Sequence, residues 1–136
     1  MADIVVTAAQ IAPVYVGEAE IYTMIAGVAV TAGQAVYQVT TTGLLALSDG
    51  SGAGTALCHG IALETKGIGQ AVSVLKRGHV AGYTLAGNYG SSAFLSDTNS
   101  GILADAAGTV SVVVGKVIAL PDSAATKVLY VNALSW

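Results

Sequence analysis

Apolar residues along this chain fall in short runs, rich in β-branched and aromatic side chains and closed by Gly, Asp or Asn. Ala35-Val36-Tyr37-Gln38-Val39-Thr40 is one such run. Thr41-Thr42-Gly43 turns the chain, and Leu44 to Leu47 returns as the second arm of a hairpin. Ser48 to Gly54 is a loop by composition, because its glycines remove any preference for regular structure. A short helical turn near residues 54–59 and a strand both fit the start of the next stretch, Thr55 to Thr65. Gln70 to Arg77 alternates well enough for a strand. Gly78 predicts a break and His79 to Gly82 a returning strand, which places Lys76 and Arg77 near a hairpin tip. Ala93 to Ser96 and Ile102-Leu103 flank the turn Asp97-Thr98-Asn99-Ser100-Gly101. Val110 to Leu120 is the longest β-like run, with Gly115 marking a bulge or a close approach of two backbones. Pro121-Asp122-Ser123 turns into a final strand, Thr126 to Asn132.

Strands of this kind, about eight of them at intervals of roughly ten residues, predict an all-β fold: a compact sandwich or barrel. The division predicted is an N-terminal segment, residues 1–17, and one β domain, residues 18–136. Residues 3–16 are apolar without a clear period and contain Pro13. Such a segment either adds a strand to its own sheet or reaches another chain by strand addition.

One internal echo stands out. Gly33-Gln34-Ala35-Val36 recurs as Gly69-Gln70-Ala71-Val72, 36 residues later. Two copies are too few for a repeat array. They predict two similar turns into strands, in which Gly takes a positive φ and Gln bonds nearby backbone.

Composition sharpens the picture. Charged residues are 10% of the 136-residue chain and apolar ones 54%, against about 25% charged in an average domain. Five basic residues and a net charge of −3 offer no phosphate-neutralising face, which argues against nucleic acid as a partner. Disorder needs a polar, charged chain, and a coiled coil needs charged flanking positions. The apolar stretches Met24 to Val30 and Val112 to Leu120 fall short of the ~20 residues of a membrane helix, and no secretory leader is visible. A surface this poor in charge predicts association with other chains.

Candidates for chemistry are few. Cys58 and His59 are adjacent, so on a strand they point to opposite faces and cannot form a dyad. With His79 they are the only Cys and His residues, too few to converge as a zinc site. Glu18 and Glu20 read as a solvated edge, and Asp49, Asp97, Asp105 and Asp122 as turn residues. Gly50 to Gly54 lacks the Lys of a phosphate loop. No catalytic, cofactor or metal role is assigned to any residue. Six tyrosines against one Phe suit sheet rims and interfaces. Ile4, Val5, Val6, Ile11, Tyr15 and Trp136 are expected to meet a partner or a neighbouring copy.

The ordered series Gly27 to Tyr37, Gly60-Ile61-Ala62-Leu63, Gly69 to Leu75, Phe94-Leu95-Ser96 with Gly101-Ile102-Leu103, and Val114 to Ile118 resembles the capsid decoration (cement) proteins of tailed bacteriophages with a β-tulip domain. The likeness covers roughly residues 20 to 132. It implies a β-tulip-like fold and a structural role without an active site. It also implies a place on the outer surface of the expanded phage head, as a homotrimer at three-fold and local three-fold positions. The partner implied is the major capsid protein. Two other readings compete with it. A tail or fibre module of a phage is one. A biotinyl/lipoyl-like carrier domain is the other; that family modifies a Lys at a hairpin tip between hydrophobic residues, and Lys66 and Lys76 have the wrong surroundings.

Overall fold

A computed structural model describes residues 2–120 and 123–133, and for residues 123–125 the backbone alone. The fold is all-β, a strongly curled antiparallel sheet that forms a half-barrel. Among the described residues there are twelve strands, more than the eight or so expected, because several pair over only two or three residues. They are β1 (Val5–Val6), β2 (Ala12–Val14), β3 (Glu20–Ile25), β4 (Ala35–Gln38), β5 (Leu45–Leu47), β6 (Gly60–Ala62), β7 (Ala71–Ala81), β8 (Tyr83–Thr84), β9 (Ser92–Leu95), β10 (Leu103–Ala104), β11 (Val113–Leu120) and β12 (Ser123–Asn132). The main sheet runs β10-β9-β11-β12-β7-β6-β4-β5, with β2 and β3 also paired to β7, while β1 and β8 form a small separate pair. No helix among the described residues is long and apolar enough to cross a membrane.

β7 is the spine. The expected break at Gly78 does not occur; the strand runs through it, so Lys76 and Arg77 lie within a strand rather than at a hairpin tip. Gly78 is needed there for closeness: a Cβ would stand 3.0 Å from the Cβ of Ala19, which crosses over the strand. Over its length β7 pairs with β3 from Ile25↔Ala71 to Glu20↔Arg77, with β2 at His79 to Ala81, with β6 at Val74 and Leu75, and with β12 at Arg77 to Val80. Its buried side chains Val72, Val74, Leu75 and Val80 serve two apolar clusters. One holds Ile61, Leu75, Val80, Leu95, Leu103, Val114 and Leu129, the other Met24, Val30, Val36, Leu45, Val72 and Val74.

Gly115 is both things expected of it. The register of β11 against β9 shifts between Val113 and Gly115, and a Cβ on Gly115 would press on the Tyr130 carbonyl oxygen. Near residues 54–59 there is a single hydrogen-bonded turn, closed by the Ala56 N–H donating to the Gly52 carbonyl at 2.9 Å, and no helix. The only helical turns among the described residues are 3₁₀ pieces at Ala8–Gln10 and Val16–Glu18.

The echo is larger in the structure than in the sequence. Residues 24–36 and 60–72 match at six positions: Ile25, Ala26, Gly33, Gln34, Ala35 and Val36 against Ile61, Ala62, Gly69, Gln70, Ala71 and Val72. Their backbone pairing is reciprocal. Ala26 donates to Gln70 O (2.9 Å) and accepts from Gly69 N (2.8 Å); Ala62 donates to Gln34 O (2.9 Å) and accepts from Gly33 N (2.8 Å). Ile25 faces Ala71 as Ile61 faces Ala35, and Met24 faces Val72 as Gly60 faces Val36. Between them Val30 and Lys66 exchange two bonds of 2.9 Å. A local two-fold axis therefore passes between Val30 and Lys66, and each copy lends its strand to the other.

The two turns match in detail. Gln34 N–H closes onto Thr31 O (3.1 Å) and Gln70 N–H onto Gly67 O (3.2 Å). Gly33 (φ +92°) and Gly69 (φ +83°) occupy the position where a type II turn requires positive φ. The Gln side chain completes each turn: Thr31 N–H donates to Gln34 Oε1 (2.8 Å), and Gly67 N–H to Gln70 Oε1 (2.7 Å).

Candidate functional site

The N-terminal segment lies on the domain through backbone pairing. Ile4 N–H donates to Leu103 O (2.8 Å), Val5 and Val6 face Thr84 and Tyr83, and β2 extends along β7. Of the residues expected to meet a partner, Ile4 and Ile11 pack against the larger apolar cluster. Val6 and Ile11 also close over Gly33, where an added Cβ would stand 2.5 Å from Val6 Cγ2 and 3.0 Å from Ile11 Cδ1. Val5 is on the opposite face of β1 and is exposed. Tyr15 is half-buried and left-handed (φ +55°), a strained conformation for a side chain of its size, with its ring edge-on to His79 at 5.7 Å. Trp136 lies outside the described residues.

The groups able to do chemistry are dispersed. Cys58 is buried, its thiol pushed up to about 12 by burial, and it donates weakly to Gly60 O at 3.6 Å. A thiol so far from ionising is a poor nucleophile and metal ligand. His59 is buried as well, and its Nδ1 accepts the Gln38 N–H at 2.8 Å. The His79 ring is held between Tyr15 and Tyr130, and its Nδ1 has no hydrogen-bond partner. Tyr83 is raised by burial and then by Cys58, and its hydroxyl donates to Gly33 O at 2.6 Å, tying β8 to the first turn. Among the described residues no three His, Cys, Asp or Glu converge as a metal site.

The carboxylates serve the fold. Glu64 sits below its ordinary range because of hydrogen bonds from Ser73 and then the charge of Lys66, 3.8 Å away. Burial pushes Asp49 up, but hydrogen bonds from Ser51 and Ser100 outweigh it and leave the carboxyl lowered. Glu20 pairs with Arg77 at 2.6 Å on the exposed edge. An open groove of about 500 Å³ lies beside β1 and β8 and is lined in part by Asp3 and Asp105. Asp3 takes a hydrogen bond from Asn99 (2.6 Å) and Asp105 one from the Ala2 N–H (2.8 Å). Lys66 lies in the connection between the antiparallel strands β6 and β7, where it pairs through backbone with Val30 and has Glu64 at 3.8 Å, and Lys76 lies within β7 over the Tyr22 ring at 5.8 Å.

What does gather on the surface is aliphatic. Ile25, Val28, Leu44 and Ile68 are all exposed at the end of the molecule that carries the second Gly-Gln turn. They are joined through backbone: Gly69 N donates to Ala26 O (2.8 Å), Gly27 N to Leu45 O (2.9 Å), and a Cβ on Gly27 would touch Leu44 Cβ at 2.9 Å. No charged residue belongs to this group. The sequence does not single it out, because Ile25 and Ile68 look like ordinary core residues, and only the fold reveals which of two matching copies is covered. No protein-family model, curated protein or solved structure matches this chain.

Proposed function

We propose that this chain is a structural virion protein, and not an enzyme, that binds the outer surface of an expanded phage head and stabilises the lattice of the major capsid protein. The observation that carries the reading is the exposed aliphatic surface of Ile25, Val28, Leu44 and Ile68 on an all-β chain with 10% charge. Contiguous exposed apolar surface marks an interaction site. The ordered sequence motifs shared with decoration proteins support the same reading, and with it a homotrimer at three-fold positions.

The mechanism is mass action. A protein that binds the expanded lattice and not its precursor stabilises the expanded form by its binding free energy. Many copies, each touching several subunits, add avidity. No cofactor, metal, nucleic acid or membrane enters the reading.

Immunogold labelling of gradient-purified virions tests it. Label over the head surface is expected. Label on tails or fibres would assign the chain to that part of the particle and overturn the head reading, and virions without label would overturn the virion assignment.

A further inference from the structure

The two copies related by the local two-fold are built alike but covered unlike. Around the first turn, Ala32 is 5% exposed and Ile61 0%; at the matching places of the second, Ile68 is 73% exposed and Ile25 43%. Ala35 is buried and its counterpart Ala71 exposed. The larger apolar cluster encloses Ile61, Gly101 lies against Gln34, and β1 with the residues after it covers the glycine of the first turn. Val6 and Ile11 close over Gly33, and Tyr83, paired with Val6, donates its hydroxyl to the Gly33 carbonyl. The second turn has the same backbone and the same Gln bracing, and a Cβ on Gly69 would meet nothing within 4 Å.

The covered copy shows what fits the uncovered one: a short extended segment with a β-branched aliphatic side chain laid on the glycine. This chain carries such a side chain unused. Neighbouring residues of a strand face opposite sides, so Val6 turns inward to Gly33 while Val5, 62% exposed, turns out. The patch side chains Ile25, Val28, Leu44 and Ile68 carry no charge, and the two charges in the same connection as Ile68, Glu64 and Lys66, lie 3.8 Å apart as an ion pair, so together they set no net charge against a second copy.

We propose that the Gly67–Gln70 turn, with Ile68, Ile25 and Leu44, receives the outer face of β1, at Val5, from a second copy of this chain. Each β1 then lies between two Gly-Gln turns, its own under Val6 and a neighbour's under Val5. Such a contact is head-to-tail, because the surface that gives differs from the surface that receives, and a head-to-tail contact closes into a ring when the rotation between copies closes and runs on as a filament when it does not. The inference rests on the self-association part of the proposed function and not on head binding, and it is tested without a capsid, so the two fail separately.

The test uses Ile68→Asp and Val5→Asp, both at exposed positions, with circular dichroism and thermal melting to verify the fold. In native mass spectrometry and light scattering at micromolar concentration, the wild-type protein is expected to be oligomeric and each variant monomeric. Mixing the two variants leaves one intact contact, the Ile68 patch of Val5→Asp against the Val5 face of Ile68→Asp, and is expected to give a heterodimer. A monomeric wild-type protein would overturn the proposal and leave the patch to a partner of different sequence. Folded variants that stay oligomeric, or a mixture that stays monomeric, would overturn it too.

Discussion

Gly33 and Gly69 form an internal control that few proteins offer. Each is followed by Gln-Ala-Val, takes a positive φ and is braced by the same Gln side-chain bond. Replacing either by Ala forces an L side chain into left-handed backbone, at about 1–2 kcal/mol. For Gly69→Ala in the unassociated chain that is the whole effect, since the new methyl meets nothing of its own chain within 4 Å. For Gly33→Ala the methyl stands 2.5 Å from Val6 Cγ2 and 3.0 Å from Ile11 Cδ1. Val is stiff at χ1, so β1 must move as a unit or the turn must distort. Overpacking of this kind adds about 1–3 kcal/mol. With a urea m-value of about 2 kcal/mol/M, the Gly33→Ala midpoint is expected roughly 0.5–1.5 M below that of Gly69→Ala. Urea unfolding followed by both far-ultraviolet circular dichroism and Tyr fluorescence measures this and checks two-state behaviour. Equal midpoints for the two variants would refute the argument that residues 4–11 bear on the first turn and not on the second.

Other outcomes rest on the same geometry. Gly115→Ala sets a methyl against the Tyr130 carbonyl, which cannot yield without breaking the β11–β12 ladder, and is expected to lose about 3 kcal/mol or more in the same urea assay. Cys58, buried and with its thiol near 12, is expected to resist a disulfide reagent at pH 8 in the native protein and to react at once in denaturant; fast native reaction would mean that the interior opens. Glu64 and Asp49 both have folded values below their unfolded ones, so each adds stability above the unfolded carboxylate range and loses it as pH falls through the folded value. Melting temperature is therefore expected to fall as pH drops from about 5 toward 3, and Glu64→Gln is expected to flatten that slope.

How much of the fold is legible in the sequence depends on whether the signal is local. The β4–β5 hairpin, β9 and β10 around their Asp97 to Gly101 turn, and the two Gly-Gln turns each announce themselves within about ten residues, by β-branched runs and turn chemistry. β3 does not, because it lies along the edge beside β7 with Tyr22, Thr23 and Ile25 exposed and its register shifted at Glu20–Ile21; no clean alternation survives. Gly78 misleads because the same residue serves as a breaker and as the point where another backbone crosses closely, and only the position of Ala19 distinguishes these. The placement of the N-terminal segment is not legible at all. Two- and three-residue strands whose partners lie about 70 residues away carry no periodic signature. The candidate surface is half legible. Low charge predicts that something apolar is exposed, but that Ile25 is exposed while its counterpart Ile61 is buried depends on where distant parts of the sheet land.

The central position of β7 also bears on how the chain acquires its fold. Its partners span nearly the whole described sequence, from Ala12 to Asn132. Joining strands so distant means closing long loops before any pairing rewards it, which slows folding. During synthesis β7 emerges some 50 residues ahead of β12, with its edge from Arg77 to Val80 bare and Leu75 and Val80 still without Leu95, Leu103, Val114 and Leu129. Edges of that kind recruit other chains. The 36-residue echo provides an early refuge, since residues 24–36 and 60–72 can interlock before β9 to β12 exist. Refolding should accordingly be slow, on the order of milliseconds to seconds, with the interlocked half formed first and the β11–β12 half last. The yield of native protein would then depend on concentration during folding more than on the stability of the finished domain.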